Sequence, residues 1–351
     1  MSLSPPRRVT VRDIARRLQV SAATVSRALR DDRRISARMR EQVRKVAEAL
    51  GYRPDPMLAA LSHYRRAGTT APISAELAWL NCWPDPRRLR SFREFDLYWQ
   101  GASAEAMRCG FRLEEFILDQ GMNAARLEKI LLARNVQGIL IPPHGGVPLL
   151  WKNFNWNNFC VVRFGYTVAI PQAHLVTSSQ LTDGLIAYEN IWRLGYRRIG
   201  LITIPKMLTR FGAGYLFGQW RQLSRVVVPP LVLPEWREEK QDRKALNDWL
   251  RKYRPDAVLT DIGPIRRLLE KTDHQVPQDI GLAHFSILDG DADAGIDQRS
   301  AEIGRAAVQL LISLINHNER GIPAVCRELL IEGRWVDGDS LPPRPAGIIP
   351  G

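Results

Sequence analysis

The segment Ser21-Ala22-Ala23-Thr24-Val25-Ser26-Arg27 carries the residue types and spacing that point most directly to a chemistry. Ser21 is a good N-cap, and the helix it would open runs over Ala22–Leu29. Val25, Ala28 and Leu29 fall on one side of that helix. Ala23, Arg27 and Arg30 recur at i, i+4 and i+7 on the other. A short helix presented N-terminus first fits the DNA major groove, which is about one helix wide. Small residues at Ser21, Ala22 and Ala23 permit close approach to base edges. Arg27 has the forked guanidinium needed for a bidentate contact to guanine. Thr10, Thr24, Ser26, Arg30 and Arg34 are suited to holding phosphates, which orient a protein without reading sequence. The plainer reading of the same residues is that Ser21 and Thr24 only cap the helix and Arg27 only solvates it.

Two further helices must position that segment. Thr10 and Asp13 have the spacing of a capping box, followed by Val11, Ile14, Ala15 and Leu18 on one apolar face. Gln19-Val20-Ser21 breaks the pattern. After a second break at Asp31–Arg34, Ser36 caps a third helix ending near Leu50. Its inward positions are Met39, Val43, Val46, Ala47 and Leu50, and Gly51 is its stop. Three short helices share one apolar side, and the first two are joined by a tight turn, the helix-turn-helix shape.

Charge agrees with a nucleic-acid partner. The 351-residue chain has a formal charge of +13. Residues 1–66 carry 16 Lys and Arg against 6 Asp and Glu, an excess of ten. A basic excess confined to one end implies a polyanion partner, nucleic acid before membrane surface, with a solvated arginine face as the bland alternative. Cys82, Cys109, Cys160 and Cys326 are far apart and form no C-x-x-C pair. That fits a reducing cytoplasm and argues against zinc. Met1–Arg8 has no apolar core of a secretory signal, and no apolar run approaches a membrane span. No P-loop, G-x-S-x-G or H-E-x-x-H motif is present, so no catalytic residue, metal or cofactor is expected.

Asp55 to Arg66 reads as a short connecting helix. Asp55 is its N-cap and Pro56 suits its first position, with alanines and leucines following and Gly68–Pro72 breaking it. A lone helix this short is marginal in water. It should therefore be unstructured in the free protein and helical once DNA and a second subunit add contacts.

From Ile73 onward, strand-like runs alternate with amphipathic helices. Strands are expected at Ala75–Trp83, Phe111–Leu118, Gln137–Pro143, Phe159–Phe164, Arg198–Thr203, Asp256–Thr260 and Ile280–Phe285. Helices are expected around Phe95–Ala102, Ala124–Arg134, Leu181–Trp192 and Ile303–Ile315. Alternation of this kind implies parallel sheets covered on both sides, and its extent implies two α/β lobes.

Val9–Ala15, Val20–Leu29 and Val46–Pro56 resemble the headpiece of the lactose-repressor (LacI/GalR) family of transcriptional regulators. The resemblance is gap-free over about 50 residues. It implies that Ser21–Leu29 is the recognition helix, that Ala22 and Ala23 are its variable base-reading positions, and that Tyr52 contacts the DNA backbone. It also makes 55–67 the hinge helix, with Leu61 as the leucine driven into the minor groove. Leu58 stands where the family has a small residue. Gln19 stands in place of a turn glycine, which costs roughly 1 kcal/mol if that residue is left-handed. A looser resemblance, strongest at Leu194–Ile202 and Asp297–Arg305, implies a periplasmic-binding-protein-like sensor over 73–340.

Taken together, the resemblance implies a helix-turn-helix headpiece over 1–54, a hinge, and a two-lobed sensor that dimerises. Such a homodimer binds double-stranded, pseudo-palindromic operator DNA, usually as a cytoplasmic repressor. A small-molecule effector, carbohydrate-like or otherwise, would bind between the lobes. A protein corepressor, or no effector, is the alternative. Trp83, Trp99, Arg163, Arg210 and Tyr215 are the candidate pocket residues, each equally readable as core packing. The family's sugar-binding arginine falls at Phe211 and its acidic pair at Ser286-Ile287, which argues against the usual sugar clamp.

Overall fold

The computed structural model describes residues 10–29, 32, 34–50, 52, 75–118, 123–144, 151, 153–222, 227–234, 240–272 and 274–344. Three helices open the chain: α1 (Val11–Leu18), α2 (Ala22–Leu29) and α3 (Ala37–Ala49). Ile14, Val25, Ala28 and Val43 have no exposed surface and form their shared core. Val11, Leu18, Val20, Leu29, Met39 and Val46 close around it. The capping box is present: the Asp13 carboxylate accepts from the Thr10 N–H at 2.9 Å and the Thr10 hydroxyl at 2.7 Å. Gln19 is left-handed, with φ 54° and ψ 40°.

Two six-stranded sheets follow. Lobe 1 contains β1 (Ala75–Asn81), β2 (Phe111–Ile117), β3 (Gly138–Ile141), β4 (Cys160–Phe164), β5 (His174–Ser178) and β11 (Glu328–Ile331), in spatial order β11-β5-β4-β3-β1-β2. Its helices are α4 (Arg93–Arg108), α5 (Ala124–Ala133) and α11 (Ser300–His317). Lobe 2 contains β6 (Ile199–Thr203), β7 (Leu231–Val232), β8 (Ala257–Thr260), β9 (Gly281–His284), β10 (Gly295–Asp297) and β12 (Arg334–Val336), in order β12-β10-β9-β8-β6-β7. Its helices are α6 (Gln180–Arg193), α7 (Pro205–Leu208), α8 (Phe211–Arg221), α9 (Lys240–Tyr253) and α10 (Ile265–Glu270). Every pairing is parallel except β10 with β12.

Parallel strands buried on both faces explain the near-continuous apolar runs of β1, β3 and β8. The chain passes between lobes three times: after β5, after β10, and between β11 and β12. The crossovers leave from the carboxyl ends of β5, β10 and β11, the side on which sheets of this kind bind ligands.

The glycine-rich stretch Gly212–Gly218 lies within α8. Its glycines serve packing. A Cβ on Gly214 would stand 1.9 Å from the Leu181 carbonyl oxygen of α6, and one on Gly184 would stand 2.0 Å from that of Phe211.

Candidate nucleic-acid interface and inter-lobe cleft

The α2 helix presents one open face. Ser21, Ala22, Ala23 and Arg27 are exposed, while Val25 and Ala28 are buried beneath them. Ser21 Oγ accepts from the Thr24 N–H at 3.0 Å and lies 2.8 Å from the Thr24 hydroxyl. The cap and the outward face therefore coexist: capping consumes one lone pair of Ser21 and leaves the alanines and Arg27 outermost. Thr10 is exposed at the start of α1. Ser26 is half-buried.

Arg34 departs from the simple picture of a phosphate clamp. It binds Asp32 in bidentate fashion, Nε to Oδ1 at 3.0 Å and Nη2 to Oδ2 at 2.7 Å. The Arg34 hydrogen bonds hold the Asp32 carboxyl down to about 2. A phosphate would have to compete with that carboxylate. Tyr52 closes α3, its N–H donating to Ala47 O at 2.8 Å, and its side chain packs on the headpiece core. Arg30, Leu58, Leu61 and the rest of the hinge, 55–67, lie outside the described residues.

The five candidate pocket residues have different fates. Trp83 follows β1, at the carboxyl end of that strand. Its Nε1 donates to Pro143 O at 2.8 Å, and its ring leans on Phe92 with centroids 5.6 Å apart. Trp99 meets Trp79 edge-on at 5.5 Å, and the Arg90 guanidinium lies 4.6 Å over its ring. One face of Trp99 is thus already covered. Arg163 donates to Ala173 O at 3.1 Å, Val168 O at 2.9 Å and Gly165 O at 3.3 Å, so it pins the loop after β4. Arg210 of lobe 2 lies 4.8 Å over the Tyr166 ring of lobe 1, and Tyr166 donates to Glu328 at 3.2 Å. Burial lowers the basicity of Arg210.

Tyr215 corrects the expectation. It has no exposed surface and sits in the lobe 2 core; its hydroxyl lies 2.8 Å from Ile199 O and accepts from Gln219 Nε2 at 3.1 Å. An aromatic whose polar end is satisfied internally cannot line a cleft. Phe211 is likewise core, stacked on Phe285 at 4.6 Å.

The sequence reading missed the acidic groups between the lobes. Glu94 opens α4, and burial with the nearby Asp289 pushes its carboxyl up to about 7. Asp183 of α6 is fully buried. Its Oδ1 accepts from the Gly333 N–H at 2.8 Å, and burial pushes its carboxyl up to about 7. Nothing in the sequence separates Glu94 from an ordinary acid in a helix first turn; only the facing lobe makes it unusual.

Residues 10–55 match the model of "Bacterial regulatory proteins, lacI family". The chain is 42% identical over 77 residues to the HTH-type transcriptional regulator Rv3575c of Mycobacterium tuberculosis (strain ATCC 25618 / H37Rv), a stretch that is 22% of this chain and 21% of that relative. The chain therefore spans about a fifth of the length of that relative in the match. The solved complex of the transcriptional regulator CelR with cellobiose is 18% identical, with a TM-score of 0.56, covering 95% of this chain and all of that one. The lac repressor dimer bound to operator and the anti-inducer ONPF is also 18% identical, with a TM-score of 0.51 and 96% of this chain covered. At that identity the likeness carries the fold.

The molecule is thus of the class that joins a helix-turn-helix headpiece to a two-lobed, periplasmic-binding-protein-like α/β domain. The family match itself is confined to the headpiece, residues 10–55. No helix among the described residues is long and apolar enough to cross a membrane.

Proposed function

We propose that this chain is a sequence-specific DNA-binding transcriptional regulator that acts as a dimer on a pseudo-palindromic operator. The observation that carries the reading is the exposed Ser21-Ala22-Ala23-Arg27 face of α2, set on a buried three-helix core within the lacI-family match. One recognition helix reads too few base pairs for useful specificity, so two headpieces on related half-sites are required. Residues 55–67 act as the hinge between 1–54 and 73–340, with Leu61 entering the minor groove. A gel shift with genomic DNA fragments tests the reading. Discrete shifted fragments that survive competitor DNA support it, and binding indifferent to competitor contradicts it.

The cleft beyond the strand ends is the effector site. Its occupant is a small polar or cyclic ligand rather than a peptide segment of a corepressor. Trp83, at the end of β1, is the better stacking platform, because Arg90 covers a face of Trp99. Half-buried Glu94 and buried Asp183 favour a ligand rich in hydrogen-bond donors over an anion. The solved relative CelR holds cellobiose, a ligand of that kind. Thermal shift against sugars, nucleosides and their phosphates tests this. A ligand at a hundredfold excess over Kd stabilises by about 2.7 kcal/mol, and Trp83→Ala should abolish the shift. A broad panel without any shift would hand the site to a protein corepressor.

A further inference from the structure

The helix α4 begins without a cap of its own. Its N-cap residue is Phe92, which offers no side-chain acceptor. The first turn of a helix leaves orphan N–H groups at the positive end of its dipole. Here two of them are satisfied from the opposite lobe. Asp289 Oδ1 accepts from the Arg93 N–H at 2.8 Å, and Oδ2 accepts from the Glu94 N–H at 3.1 Å. Asp289 belongs to the β9–β10 loop of lobe 2, which holds it firmly. The Ser286 N–H donates to His284 Nδ1 at 2.9 Å, the Gly290 N–H to Ser286 O at 3.1 Å, and the Asp289 N–H to Ser286 Oγ at 3.4 Å. The Glu94 side chain also bonds Ser286 across the lobes, while its Oε1 is buried with no hydrogen-bond partner.

We propose that Asp289 is an inter-lobe latch: by capping α4 from the facing lobe it holds the sensor closed without a ligand, in the bridging role an effector would otherwise take. The proposal rests on the sensor reading above and names how that site is regulated.

The surroundings make the latch sensitive to protons. Glu94 is faced by Asp289 from the loop, Asp183 from α6 and Asp297 from the end of β10. Tyr98 lies on its own helix. Asp297 is paired with Arg334 at 2.9 Å, and Arg299 acts on Asp183. His284, beside Asp289, is pushed down to about 4 by burial and stays neutral. Closure raises the Glu94 carboxyl from an ordinary 4.5 to about 7. The closed state therefore binds that proton more tightly. Closure is unopposed below about pH 4.5, is disfavoured progressively as pH rises to about 7, and changes little beyond.

Small-angle X-ray scattering of the full chain at pH 5 and pH 8 tests the latch, with amide exchange on the same samples. Wild type should be more compact at pH 5. Asp289→Ala should be expanded at both pH values, with faster exchange at Arg93, Glu94 and the 286–291 loop. Asp289→Asn, which keeps an acceptor oxygen, should lie between. Glu94→Gln should show a smaller pH response. An Asp289→Ala or Asp289→Asn curve that superimposes on wild type at pH 5, or a Glu94→Gln protein with the full pH response, overturns the latch. Gel shifts on the same preparations keep the two readings apart: wild type that shifts no DNA counts against the regulator and leaves the scattering result standing.

Discussion

Arg27 and the two alanines before it illustrate what a single residue contributes. Arg27 is exposed on the face opposite Val25 and Ala28, so its removal should leave the headpiece folded. Arg27→Ala should cost about 1–3 kcal/mol on operator DNA and much less on random DNA if it grips a base. Fluorescence anisotropy on both DNAs measures this, and equal losses would reduce Arg27 to a phosphate contact. These outward residues were legible in the sequence because helical spacing alone separates them from the buried set. The left-handed Gln19 was legible too, as an exception tolerated at a turn. Tyr215 was not. Its sequence neighbours suit a cleft, but its hydroxyl finds partners inside lobe 2, and hydrogen-bond satisfaction depends on chain segments far apart. The Arg34–Asp32 pair was equally hidden, because spacing does not say whether an arginine faces solvent or a neighbouring acid.

Many elements were legible from their length and apolar pattern, but the fully buried β5 and the 14-residue α9 were not among those expected. The strands β1–β4, β6, β8 and β9 fall within the expected runs, each trimmed by a residue or two at its ends. The strands β7, β10 and β12 have two or three residues each, too few for any period to register. The strand β11 is largely exposed at the edge of its sheet, so burial leaves no mark on its pattern. The helix α8 was obscured by glycines that serve its contact with α6. Gly214→Ala places a methyl against the α6 backbone, which cannot yield as a flexible side chain would. It should destabilise lobe 2 by about 1–3 kcal/mol, seen as a lowered Tm with an unchanged headpiece. An unaltered Tm would mean that the two helices do not meet this closely.

At the scale of the whole molecule, a basic headpiece precedes a two-lobed body whose halves are bridged at Asp289 and α4. Most of the formal charge lies within the first 66 residues, so association with DNA should weaken steeply with salt through counterion release. The three-helix headpiece and the two-sheet α/β body were readable from apolar periodicity. The inter-lobe acids were not, because the facing groups come from segments nearly two hundred residues apart. The α2 face is proposed to read a symmetric DNA sequence. The direct test is to sequence the genomic fragments retained by the purified chain at moderate salt, with Arg27→Ala in parallel. One enriched motif made of two inverted half-sites about one or more helical turns apart is expected, lost or relaxed in the variant. Retained fragments with no common motif, or the same fragments retained by both proteins, would contradict it.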